Sequence, residues 1–128
     1  MIKPLKVTMI VYALIGILFG LACIFIPRQL GAMFGQEGGP TVAALSASYG
    51  FGLVAACIFL IIAARDPIKH ILWMKYAIVF AILSLAAELY SVILGYITLG
   101  SGLTAIILHA VFAIAFLVFY PWRAVKGS

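Results

Sequence analysis

The chain reads as four long apolar runs separated by short polar breaks. The first covers 7–26 and is closed by Pro27 and Arg28, and the second covers 41–64 with Pro40 at or beside its first turn, where a missing N–H costs nothing. The third apolar stretch covers 71–97, and Asp66 followed by Pro67 reads as a cap and first helical residue, so that helix is expected to begin ahead of its apolar run. The fourth covers 103–120 and ends before Pro121. Each run approaches or exceeds the roughly 20 apolar residues that a helix needs to cross a bilayer core. None alternates in polarity over about ten residues, as barrel strands would. The expectation is an all-α fold: one transmembrane domain over 1–128, an integral membrane four-helix bundle with N-in/C-in topology. The runs are too uniformly apolar for periodicity to mark which face is buried.

Composition agrees. The chain is 67% hydrophobic and 9% charged, against roughly 45–50% and 25% in an ordinary soluble domain. A soluble globule of this size has no surface on which to place such an excess. Soluble, disordered and coiled-coil readings are excluded, as is a nucleic-acid role read from the net charge of +5. The placement of the cations matters more than their sum. Lys3, Lys6, Arg65, Lys69, Lys75, Arg123 and Lys126 fall on one side of the expected membrane and only Arg28 on the other. The positive-inside rule then puts both termini and the 65–75 loop in the cytoplasm, with the 28–40 and 96–102 loops outside the plasma (inner) membrane. Trp73, Tyr76, Tyr120 and Trp122 fall at the inner boundary and Tyr96 near the outer one. Lys3 and Lys6 ahead of the first run resemble the start of a signal peptide, but the run is of spanning length and lacks a small-x-small cleavage site before Pro27. Arg65, Lys69 and Lys75, with Asp66 and His70, form a patch suited to anionic lipid head groups.

The outer 28–40 loop carries Leu30, Met33 and Phe34 at near-helical spacing, which suggests an interfacial turn, and Gln36-Glu37-Gly38-Gly39-Pro40 has flexible turn chemistry. It serves either as a connector or as a docking surface. Cys23 and Cys57 fall about 20 Å apart in depth at 1.5 Å per residue, too far to bridge. With no CxxC they act as small apolar residues. There is no HExxH, GxSxG, phosphate loop or metal-ligand cluster, so no catalytic residue, cofactor or metal is expected, and the chain does not read as an enzyme.

Two ionisable groups other than Tyr and Cys lie well inside the apolar runs, Glu88 and His109. Glu88 precedes Gly95 by seven residues and His109 follows Gly102 by seven, so a hairpin turning between those glycines brings the two side chains to one depth. A carboxylate in hydrocarbon takes up a proton, finds a partner or lines water, and His109 is the partner at hand. Ser84, Glu88, Ser91 and Gly95 form one helical stripe, and Ala105, His109 and Ala113 form another that faces it. Ser46, Ser48 and Tyr49 fall near the same depth on the second span, and Ser48, Gly52 and Ala56 continue a small-residue face. Gly16 and Gly20 make a GxxxG, extended by Ala13 and Cys23, which serves packing inside the bundle or homodimerisation.

The polar layer reads either as a Glu–His hydrogen bond fixing helix register or as a ligand or proton site of Glu88, His109, Ser91, Ser84, Tyr49 and Ser46. Three functions follow. The first in order is a structural or accessory subunit packing laterally against partner subunits or itself, because the loops are small and the lipid-facing sides are the main contact surface. The second is a proton-coupled small transporter or channel, with Glu88 as carrier and His109 tuning it. The third is a quinone- or haem-proximal redox subunit in which His109, Glu88 and Tyr49 hydrogen-bond a head group. Bis-histidine haem is excluded because His70 lies in the interface.

Gly16, Phe19-Gly20, Pro27, Leu30 and Phe34-Gly35 give the first half a layout that resembles small four-helix prokaryotic membrane proteins of the DoxX-like kind. That resemblance implies a four-helix bundle and no particular activity. Small multidrug-resistance exporters share the size and helix number, but their membrane carboxylate is in the first helix, whereas here it is Glu88 in the third.

Overall fold

The structure, a computed structural model, describes residues 2–33 and 39–122. Phe34, Gly35, the 36–38 part of the flexible turn, Arg123 and Lys126 lie outside the described residues. Five helices follow in order: α1 (Ile2–Phe25), α2 (Pro27–Met33), α3 (Pro40–Ala63), α4 (Ile71–Ile93) and α5 (Leu99–Phe119), with no strand among the described residues. The four long ones are long and apolar enough to cross a membrane.

Local chemistry explains where each helix starts and stops. α1 begins five residues ahead of its apolar run, with Pro4 in the first turn, where its missing N–H is no loss. It breaks at Pro27. Because proline has no N–H, the Cys23 carbonyl four residues back receives no helical hydrogen bond from it. The Ser46 hydroxyl donates to that carbonyl instead, at 3.0 Å, and so ties α3 to the end of α1. α2 is a short helix where the spacing of Leu30 and Met33 predicts a helical turn, and Pro40 occupies the first turn of α3 after an extended Gly39.

The expected boundaries of α4 and α5 are corrected. Asp66 and Pro67 do not open α4, because the Asp66 carboxylate accepts from the Lys69 N–H at 3.2 Å and closes a separate turn before the helix starts at Ile71. α4 also stops at Ile93 rather than continuing to residue 97. Gly95 adopts φ +77°, its N–H donates to the Val92 carbonyl at 3.1 Å, and the Tyr96 N–H donates to the Ser91 carbonyl at 2.8 Å. This is the paired hydrogen bonding of a Schellman motif, which needs the left-handed residue that glycine supplies. α5 then starts at Leu99, four residues before its expected start, because Thr98 caps it by accepting from the Ser101 N–H at 3.1 Å.

The start of α1, the α3–α4 turn and the end of α5 share one end of the bundle, here called the terminal end. α2 and the α4–α5 turn lie at the other, the loop end. The core occupies the terminal half and the middle, where Leu5, Met9, Leu60, Met74 and Phe116 are almost wholly buried. α1 packs chiefly on α3 and α4 on α5, with fewer contacts between the two pairs. The α1–α3 contact is made by glycine. A Cβ on Gly16 would collide with Cys57 Sγ, one on Gly20 would sit 2.9 Å from the Gly50 carbonyl oxygen, and one on Gly50 would sit 2.5 Å from that of Gly20. Gly52, expected to pack, is instead exposed, and a Cβ there would meet nothing within 4 Å. Gly50 takes the packing position because two residues, at about 100° each, turn Gly52 well away from α1.

Candidate functional site

Between the α1–α3 pair and the α4–α5 pair lies a half-enclosed cavity of about 730 Å³, bounded by all five helices. It runs from Tyr12, Leu60 and Tyr76 near the core to Pro27, Leu30, Gly31 and Ile97 at the loop end. Its walls are mostly aliphatic and aromatic. The polar groups are few, which is the composition of a binding cavity for a largely apolar molecule.

Glu88 and His109 both line it and meet as the sequence spacing requires: His109 Nδ1 is 2.7 Å from Glu88 Oε1, with side-chain exposures of 16% and 18% for His109 and Glu88. The same Nδ1 lies 3.0 Å from the Ala105 carbonyl. A backbone carbonyl only accepts, so Nδ1 carries the hydrogen and forks it between Ala105 and Glu88. This fixes the imidazole: its other nitrogen, Nε2, is the acceptor when the ring is neutral and a second donor when the ring is charged.

Among the described residues two buried side-chain polar atoms have no hydrogen-bond partner, Glu88 Oε2 and the Tyr12 hydroxyl. Both residues line the cavity. Tyr12 is 7% exposed, with its ring edge-on to His109 at 6.5 Å between centroids and braced by Phe112 at 4.7 Å and Phe116 at 5.4 Å. Buried polar groups are normally paired, so these two are groups on the cavity-lining residues with hydrogen-bonding capacity left over.

The other expected site residues take different places. Ser84 and Tyr49 line the cavity, with the Tyr49 ring edge-on to Phe19 at 6.5 Å. Ser91 and Ser46 line it too, but their hydroxyls donate to the backbone carbonyls of Ala87, at 2.9 Å, and Cys23. Ala105 is on the cavity wall and supplies the carbonyl that orients His109, whereas Ala113 belongs to the core. Gly16 lies on the wall and, with Gly20, at the α1–α3 contact. Arg65, Lys69 and Lys75 are exposed on the α3–α4 turn and the first turns of α4, away from the cavity. Cys23 and Cys57 are free and buried, and no group of three or more potential metal ligands occurs among the described residues.

Tyr12, Phe80 and Gly50 do not stand out in the sequence, yet each shapes the site or the contact beside it. The signal for Tyr12 was available: Tyr12, Gly16 and Cys23 follow the i, i+4, i+11 spacing of one helical face, so a face already marked by glycine carried the tyrosine into the interior. Comparison of the chain with protein-family models, with curated proteins and with solved structures found no match.

Proposed function

We propose that the protein binds a small amphipathic molecule inside the bilayer, in the cavity between its two helix pairs, with Glu88 and His109 anchoring the polar end. The observation that carries this reading is a roomy apolar cavity lined by two residues, Glu88 and Tyr12, each of which holds an unpartnered buried polar atom. An isolated structural hydrogen bond needs no such cavity beside it. The cation asymmetry supports an orientation in the plasma membrane with both termini cytoplasmic, which makes the loop end, and the part of the cavity lined by Pro27, Leu30, Gly31 and Ile97, extracytoplasmic.

Of the other roles open to a small bundle, lateral docking against partner subunits would use the outward apolar faces, which lipid covers equally well. A proton-coupled carrier and a quinone- or haem-proximal subunit would both use this cavity, and ligand binding is the step they share.

Photo-crosslinking tests the reading. A short alkyl alcohol bearing a diazirine, irradiated with the protein in nanodiscs and mapped by mass spectrometry, should label cavity positions such as Ala56, Phe80 and Ser84 saturably. Labels on lipid-facing positions such as Leu83 and Ile114 should rise without saturation. Filling the cavity with Ala56→Phe should abolish the saturable part. Uniformly unsaturable labelling, unchanged by that substitution, would refute the reading.

A further inference from the structure

The polar wall of the cavity also bears on the chemical class of its occupant, an inference that rests on the binding role proposed above. When the carboxylate is ionised Glu88 Oε2 can only accept a hydrogen bond, and the hydroxyl of Tyr12, whose ring is edge-on to His109, has accepting capacity to spare. The hydrogen on His109 Nδ1 is already shared between Glu88 Oε1 and Ala105. The Tyr12 O–H is an unpaired donor too, so with Glu88 ionised the two groups offer acceptors at both and a donor at one, and an occupant that donates satisfies more of them.

Charge narrows the class further. Among the described residues that line the cavity none is Lys or Arg, and Glu88 is the sole acid. An anion would meet a carboxylate whose one basic neighbour on the cavity wall is His109, and that ring is cationic only when protonated. With His109 neutral, a hydroxyl could pair with Glu88 but would leave the carboxylate charge uncompensated in an apolar setting, which is costly. An ammonium ion compensates it. Tyr12, Phe19, Tyr49, Tyr76 and Phe80 also line the cavity, and aromatic rings are the side chains that attract cations through their π systems.

We infer that the cavity selects a hydrophobic primary or secondary amine, bound as its ammonium ion, with N–H donors on Glu88 Oε2 and the Tyr12 oxygen and its hydrocarbon part between the two helix pairs. A quaternary ammonium of the same chain length brings the charge without the donors. It leaves both oxygens unpaired and binds more weakly.

The test is a matched ligand series on the full chain in nanodiscs of zwitterionic phospholipid, by titration calorimetry with empty nanodiscs subtracted. The probes are octylammonium, octyltrimethylammonium, octanol and octanoate. Octylammonium should bind saturably at one site, about tenfold or more tighter than the trimethyl ion and the alcohol, the scale of a charge-assisted hydrogen bond, with octanoate weakest. Glu88→Gln should remove the preference for the amine, and Tyr12→Phe should weaken amine binding without affecting folding. Saturable octanol or octanoate binding equal to that of octylammonium would overturn the inference and leave the binding role standing. Equal binding of the trimethyl ion would overturn the donor requirement. No saturable binding of any probe would overturn both. The ligand series is read on the parent protein, so its outcome does not depend on any variant folding.

Discussion

The His109 imidazole gives one hydrogen to two acceptors, with Nδ1 2.7 Å from Glu88 Oε1 and 3.0 Å from the Ala105 carbonyl one turn earlier on its own helix. The backbone contact holds the ring in place and the carboxylate contact joins α5 to α4. A double-mutant cycle with Glu88→Gln and His109→Leu, followed by unfolding in mixed micelles, should return a coupling of about 1 kcal/mol, within the range for interhelical hydrogen bonds in membranes. A coupling indistinguishable from zero would mean that the contact does not persist in the folded ensemble.

Tyr12 should show the opposite balance between stability and binding. Its buried hydroxyl has no partner, so Tyr12→Phe removes an unpaired polar atom and should leave stability unchanged or raise it by about 1 kcal/mol, measured by the same unfolding assay. A large loss would show that the hydroxyl is satisfied within the protein.

The glycine contact between α1 and α3 makes a paired prediction. Gly20→Leu drives a side chain into Val54 and the Gly50 carbonyl and should cost about 1–3 kcal/mol, whereas Gly52→Leu points into open space and should change stability by no more than about 0.5 kcal/mol. Reversal of that order would place α1 against a different face of α3.

Thr98 and Gly95 set the α4–α5 turn. Thr98→Val removes the side chain that caps α5 and should cost about 1 kcal/mol. Gly95→Ala forces a side chain into φ +77° and should cost about 1 kcal/mol as well. Thermal unfolding of each variant in micelles is a sufficient readout, and wild-type midpoints for both would contradict the turn as described.

The orientation proposed from the lysines and arginines is testable in a background lacking Cys23 and Cys57. Gly39→Cys should react with a membrane-impermeant maleimide in intact cells and Lys69→Cys only after lysis. The inverse pattern would put the loop end of the cavity on the cytoplasmic side.

The long helices were legible in the sequence because runs of about 20 apolar residues have few other solutions. The meeting of Glu88 and His109 was legible too, because an antiparallel hairpin with a short turn brings residues equally spaced from its centre together. The boundaries of α4 and α5 differ from the apolar runs because apolarity continues through Ile93, Leu94, Tyr96 and Ile97, whereas helical hydrogen bonding ends at Leu94, is capped through Gly95 and Tyr96, and resumes from Thr98. Cap chemistry decides helix ends, and apolar content does not. The cavity itself was not legible. It arises because α1–α3 and α4–α5 each pack tightly as a pair while the pairs fill a common core in the terminal half, a relation between four helices that one-dimensional spacing does not encode. Ser46 shows the same limit, since its hydroxyl serves a carbonyl orphaned by Pro27 on another helix.

Binding in the cavity requires the acid and the imidazole to be joined through Nδ1 within a lipid-embedded bundle. Solid-state NMR of the protein in bilayers, with ¹⁵N-histidine and ¹³C-glutamate labels, measures this through the dipolar coupling between the Glu88 carboxyl carbon and the two His109 nitrogens. The predicted result is a strong coupling to a protonated Nδ1 that disappears in Glu88→Gln. The absence of that coupling, or its appearance at Nε2 instead, would contradict the proposed site.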